Sequence, residues 1–167
     1  GRLARGWVTI GDNKYYFSYT NYAAVTGWRR IGGKVYYFNA DGTLKKLSGV
    51  VRNSGNRYYY DPTTGEMTTG WVHSGVNDYY FSPKTGRALT GWQTINGKEY
   101  FFNSYGQLAK NRLVGNTYYV NDKGEKVYGW YTNGDKTYYL NSRTGVIMKK
   151  GWQTIDGKKY YFNADGS

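Results

Sequence analysis

The chain has 167 residues and a formal net charge of +12, from 23 Lys and Arg against 11 Asp and Glu. Aromatic residues make up 20%, with 21 Tyr and 6 Trp, and there is no Cys. Disulfides and thiolate metal sites are therefore excluded, disorder is at odds with so many rings, and no apolar run approaches the ~20 residues of a membrane helix.

Along the chain, a Gly-Trp step recurs, followed each time by an aromatic pair. The first copy joins Gly6-Trp7 to Tyr15-Tyr16, and the second joins Gly27-Trp28 to Tyr36-Tyr37 with Gly32-Gly33 between them. The third is degenerate, Gly49-Val50 to Tyr58-Tyr59 with Ser54-Gly55, and the fourth runs from Gly70-Trp71 to Tyr79-Tyr80 with Gly75-Val76. The fifth joins Gly91-Trp92 to Tyr100-Phe101 through Asn96-Gly97. The sixth, two residues shorter, runs from Asn111-Arg112 to Tyr118-Tyr119 with Gly115-Asn116. The last two run from Gly129-Trp130 to Tyr138-Tyr139 and from Gly151-Trp152 through Asp156-Gly157 to Tyr160-Tyr161. Successive aromatic pairs are 21, 22, 21, 21, 18, 20 and 22 residues apart, so eight copies share a period near 21.

Asn-Gly and Asp-Gly suit a two-residue hairpin turn, because both central residues need positive φ. Each copy therefore reads as a β-hairpin. In the last, Trp152 faces Tyr161, Thr154 faces Lys159, Gln153 faces Tyr160 and Ile155 faces Lys158. Opposed residues share a face and faces alternate along a strand. Trp and the second Tyr thus share one side, with Thr9, Arg30, Thr94, Glu99, Thr132 and Thr154. In the sixth copy, a Gly115-Asn116 turn would place Arg112 opposite Tyr119 with its face unchanged. Each hairpin is followed by a Gly-containing link such as Asn39-Ala40-Asp41-Gly42 or Pro62-Thr63-Thr64-Gly65. A lone hairpin is marginal in water. The expected fold class is all-β, a solenoid of about eight tandem β-hairpins that bury their apolar faces on their neighbours. Residues 1–167 read as one repetitive binding module, an excerpt of a longer protein.

Gly151-Trp-Gln-Thr-Ile-Asp-Gly-Lys-Lys-Tyr-Tyr-Phe-Asn163 and Gly91-Trp-Gln-Thr-Ile-Asn-Gly-Lys-Glu-Tyr-Phe-Phe-Asn103 resemble the cell-wall-binding or choline-binding repeat superfamily. The Lys-Tyr-Tyr-Phe-Asn pattern is more similar to its glucan-binding and clostridial-toxin repeat branches. The resemblance implies a β-hairpin solenoid with ligand sites between consecutive hairpins. In the choline-binding type a further Trp precedes the aromatic pair. Here that position holds Lys14, Val35, Arg57, Asp78, Glu99, Thr117, Thr137 and Lys159, none aromatic and some cationic, so a choline cage lacks one wall and is not expected.

The candidate ligand-binding residues are Trp7 with Tyr16, Trp28 with Tyr37, Trp71 with Tyr80, Trp92 with Phe101, Trp130 with Tyr139, and Trp152 with Tyr161. Such rings either pack hairpin on hairpin or wall a groove in which sugar C–H faces stack beside polar groups. Where Val50 and Arg112 replace Trp, the junctions should be poor sites under the second reading and weak points under the first. Basic pairs at Arg29-Arg30, Lys45-Lys46, Lys149-Lys150 and Lys158-Lys159 are either solvated faces or contacts for the phosphates of teichoic acid. No nucleic-acid motif accompanies them, and neither nucleic acid nor membrane insertion is expected.

No catalytic set is visible: the one His, His73, reads as an exposed strand residue, and no carboxylate pair stands out for glycoside hydrolysis. No metal or cofactor is expected. The leading function is a non-catalytic module that targets a secreted or surface protein of a bacterium, in the Gram-positive setting, to a glycan or cell-wall polysaccharide. Choline- or phosphate-dependent anchoring to teichoic acid, and a structural stalk or adhesion surface, are the alternatives.

Overall fold

The computed structural model describes residues 3–167. Its regular elements are all strands, arranged as eight antiparallel hairpins. They fall into two compact units, one up to Leu89 and one over Thr90–Ser167.

In the first unit the hairpins are β1 (Gly6–Ile10) with β2 (Asn13–Phe17), β3 (Gly27–Ile31) with β4 (Lys34–Phe38), β5 (Gly49–Asn53) with β6 (Asn56–Tyr60), and β8 (Gly70–Ser74) with β9 (Asn77–Phe81). A short β7 (Met67–Thr68) adds to β6. In the second they are β10 (Gly91–Ile95) with β11 (Lys98–Phe102), β12 (Arg112–Val114) with β13 (Tyr118–Val120), β14 (Gly129–Asn133) with β15 (Lys136–Leu140), and β16 (Gly151–Ile155) with β17 (Lys158–Phe162). Within each unit the hairpins stack in chain order, and the all-β solenoid class read from the repeat stands.

The turns follow their residues. Asn96-Gly97 has φ of 51° and 77°, and Asp156-Gly157 has 48° and 77°, the two left-handed positions of a type I′ turn. Ser54-Gly55, a poorer fit by composition, does the same at 47° and 80°. Gly75-Val76 instead has positive φ at Gly75 alone, 64°, the pattern of a type II′ turn. The final hairpin has the register expected, with Trp152 opposite Tyr161 and Thr154 opposite Lys159.

The sixth hairpin departs from expectation. Its turn takes three residues, Gly115 to Thr117, with the Thr117 N–H donating to the Val114 carbonyl at 3.1 Å. Leu113, not Arg112, therefore opposes Tyr119. The reason is burial: Tyr119 is 4% exposed and packs with Leu113 in the core, whereas Arg112 stays exposed. Pairing Arg112 there would have put a guanidinium in an apolar layer.

From the second hairpin on, the residue after each aromatic pair is buried and anchors the core. Phe38, Phe81, Phe102, Val120 and Leu140 are fully buried. Gly91, opposite Phe102, shows why Gly opens these hairpins: its φ of +70° is left-handed backbone that a Cβ disfavours. Links are tied by Asx turns. The Asp61 carboxylate, for example, accepts from the Thr63 and Thr64 N–H groups at 2.8 Å. Each link then folds back on the preceding hairpin. Leu44 N–H donates to the Lys14 carbonyl at 2.7 Å, and Lys126 N–H to that of Glu99 at 2.8 Å. These bonds, with the buried rings, hold one hairpin on the next.

Candidate functional site

Register alone brings the six predicted ring pairs together. Trp7 meets Tyr16 at 5.4 Å between ring centroids, Trp28 meets Tyr37 at 5.1 Å, and Trp71 meets Tyr80 at 5.2 Å. Trp92 meets Phe101 at 5.4 Å, Trp130 meets Tyr139 at 4.9 Å, and Trp152 meets Tyr161 at 5.5 Å. All six are edge-to-face, with interplanar angles between 61° and 79°. They lie on the face opposite the buried Phe row, which explains why Trp7, Trp71 and Trp130 keep 43–44% of their surface exposed.

Stacking adds a ring that reading one hairpin at a time missed. Trp7 also meets Tyr36 of the second hairpin at 4.9 Å and 73°, Trp92 meets Tyr118 at 5.4 Å and 79°, and Trp130 meets Tyr160 at 4.7 Å and 62°. The added ring is always the first of the next aromatic pair. One sequence signal pointed to it: that position is Tyr in all eight copies, whereas the second varies to Phe101. At these three junctions the next hairpin thus adds a third ring to the corner, a contact that the choline-cage expectation from single hairpins did not include. At the second junction Trp28 packs against the buried cluster of Val35, Tyr58 and Tyr60. At the third, Val50 and Tyr59 pack on Val72, Tyr79 and Phe81, so a valine in a mixed aliphatic and aromatic core stands where the first, fifth and seventh junctions have an indole.

The first junction opens into a cavity of about 620 Å³. Trp7, Tyr36, Leu44 and Leu47 supply apolar walls, and Thr9, Lys14, Lys45 and Glu66 supply the polar rim. The Tyr36 hydroxyl is held above its ordinary pKa, mainly by burial and further by the Glu66 carboxylate, so it stays a neutral donor. In the second unit Glu99, on the same face as Trp92, accepts from the Tyr128 hydroxyl. That bond, aided by Lys126 against an opposing burial effect, lowers its pKa and keeps it ionised. Lys45 lies over the Tyr37 ring at 5.7 Å, so one member of a basic pair serves the aromatic face.

Perpendicular ring walls with an open mouth can hold a compact apolar cation through the negative faces of the rings. The described residues include no group of three or more His, Cys, Asp and Glu able to hold a metal ion. His73 is exposed and pairs with Asp78 across its hairpin at 2.7 Å.

The choline-binding repeat model matches residues 25–70 and 89–119. The cell wall binding repeat model matches residues 6–21, 129–143 and 150–167. Together they cover more than half of the chain. Choline binding protein F from Streptococcus pneumoniae is 34% identical with a TM-score of 0.73, over 92% of this chain and 54% of that one. CbpF in complex with ipratropium is 27% identical with a TM-score of 0.70, over 98% of this chain and 58% of that one. The choline-binding domain of CbpL from Streptococcus pneumoniae is 27% identical with a TM-score of 0.66, over 98% of this chain and 96% of that one. The chain spans little more than half the length of choline binding protein F. No curated protein sequence matches it.

Proposed function

Because the chain belongs to the choline-binding and cell-wall-binding repeat family, we propose that it anchors a larger protein to the bacterial cell wall by gripping quaternary ammonium groups of choline-bearing teichoic acid. The observation that carries this reading is the corner made by Trp7, Tyr16 and Tyr36 beside an open cavity. A trimethylammonium group is nearly spherical and is satisfied by ring faces set at right angles. A flat pyranose face wants a parallel platform, and the indole contacts at this junction with Tyr16 and Tyr36 are near-perpendicular. The glycan reading is therefore second. Ipratropium, held by CbpF, is itself a quaternary ammonium compound, which agrees with the cation reading.

Each ring contributes on the order of 0.5–2 kcal/mol to a cation, so a single junction binds weakly. Repetition along the stack compensates when the ligand is a polymer, because the second contact is intramolecular. The +12 net charge favours approach to a polymer of phosphates, and this contribution is screened by salt. The chain is a non-catalytic segment on this reading, and any chemistry of the whole protein belongs to other parts of it. The setting is the surface of a Gram-positive bacterium.

The test is retention on purified choline-bearing cell walls followed by stepwise elution. Millimolar choline should release the protein, and 1 M sodium chloride alone should not. Release by salt with no response to choline would overturn the cation reading in favour of phosphate contacts. Retention on choline-free polysaccharide would favour the glycan reading.

A further inference from the structure

The junction between the fifth and sixth hairpins has the same indole corner as the first, with Trp92 against Phe101 and Tyr118, but its linker residue differs. Where each link bridges back to the buried row, the chain places Ala24, Leu44, Met67, Ala88, Leu108 and Ile147. The sixth link places Lys126 there, opposite Val120. Its ammonium lies 4.5 Å from the Tyr118 ring centroid, 5.1 Å from that of Tyr128 and 5.4 Å from that of Trp92. The Glu99 carboxylate stands 3.4 Å away, and the Lys126 side chain is only 11% exposed. Three rings and a carboxylate around a desolvated ammonium are the surroundings expected of a bound organic cation.

We infer that Lys126 is an internal cation that fills the corner formed by Trp92, Tyr118 and Tyr128, closing the fifth junction to quaternary ammonium ligands and so setting which junctions bind. The position chosen explains how. An apolar residue in the link leaves the corner as a hydrophobic wall, as Leu44 does at the first junction. A lysine at that point has the reach to thread its ammonium into the ring faces, and its stem covers the apolar floor. Glu99 neutralises it, so the filled corner carries no net charge that would attract an anion or repel a neighbour. A choline group arriving from solution would have to displace a tethered competitor whose local concentration is far above its own. The inference rests on the organic-cation reading of the open junctions.

Lys126→Met, which installs the residue type found at Met67, should bind one more equivalent of choline than the unaltered protein in calorimetric titration. Lys126→Ala, matching Ala24 and Ala88, serves if the first variant fails to fold by circular dichroism. In proton NMR of the unaltered protein, the Lys126 methylene next to nitrogen should be moved upfield by the surrounding rings, and the resonance should vanish in the variants. An unshifted methylene, or folded variants with no added equivalent, would overturn the inference. A gain in the variants when the unaltered protein binds no choline would keep Lys126 as the plug of the fifth junction but sink the anchoring reading, and with it the selection among junctions. No gain in variants of a protein that does bind choline would do the reverse.

Discussion

Removing the indole at the first junction by Trp7→Ala should weaken binding at that junction while the protein still folds. Trp7 touches Tyr16, Tyr36 and Phe38 at centroid distances of 5.4, 4.9 and 5.8 Å, yet 43% of it remains exposed. Full truncation of a buried aromatic costs about 3–5 kcal/mol, and a side chain little more than half buried should cost roughly 2 kcal/mol on the same scale. The lost cation contact is about 1–2 kcal/mol, a drop of roughly 5- to 30-fold in affinity at that junction. Calorimetric titration with choline should then lose one equivalent from its measurable range, while urea denaturation followed by circular dichroism should shift without losing cooperativity. Trp7→Phe keeps a ring in the corner and should fall between the two. A folded Trp7→Ala protein that keeps every equivalent at full affinity would refute the claim that this corner is the binding wall.

Three further outcomes follow from local geometry. Asn96 sits at φ 51°, so Asn96→Val should cost about 1–2 kcal/mol in thermal denaturation while Asn96→Gly stays near neutral. The Tyr60 hydroxyl donates to the Val35 carbonyl at 2.7 Å in the core, so Tyr60→Phe should cost about 1–2 kcal/mol; burial raises the Tyr60 pKa, so this contribution is present below the ordinary Tyr range and fades as pH rises through the folded value. Asp165 is held below the ordinary carboxylate range by Lys136 at 2.7 Å and by Ser167, and Glu99 and Glu125 are lowered too. The stabilisation from these groups is present above their unfolded values and lost as pH falls through the folded ones, so melts taken between about pH 2 and 6 should show an acid decline that Asp165→Asn makes shallower.

Much of this molecule is decided within about twenty consecutive residues, and that part was legible. Turn chemistry at Asn96-Gly97 and Asp156-Gly157, with alternation along the strands, determines each hairpin, its register and the meeting of each Trp with the second ring of its own pair. These are local contacts, and local backbone preferences suffice for them. The sixth hairpin escaped because strand and turn compete for the same residues. Only the buried layer, which accepts Leu113 and rejects Arg112, decides that Thr117 joins the turn.

What tertiary structure alone decided is which faces meet. The Trp face of one hairpin lies on the Phe face of the next, so Trp7 finds Tyr36 and Phe38, and Trp130 finds Tyr160 and Phe162. Two rows that alternate to opposite sides of every strand thereby share one junction. The third wall comes from across it, and in one place a linker lysine enters. Neither follows from a single copy, because burial is satisfied only when a second hairpin arrives.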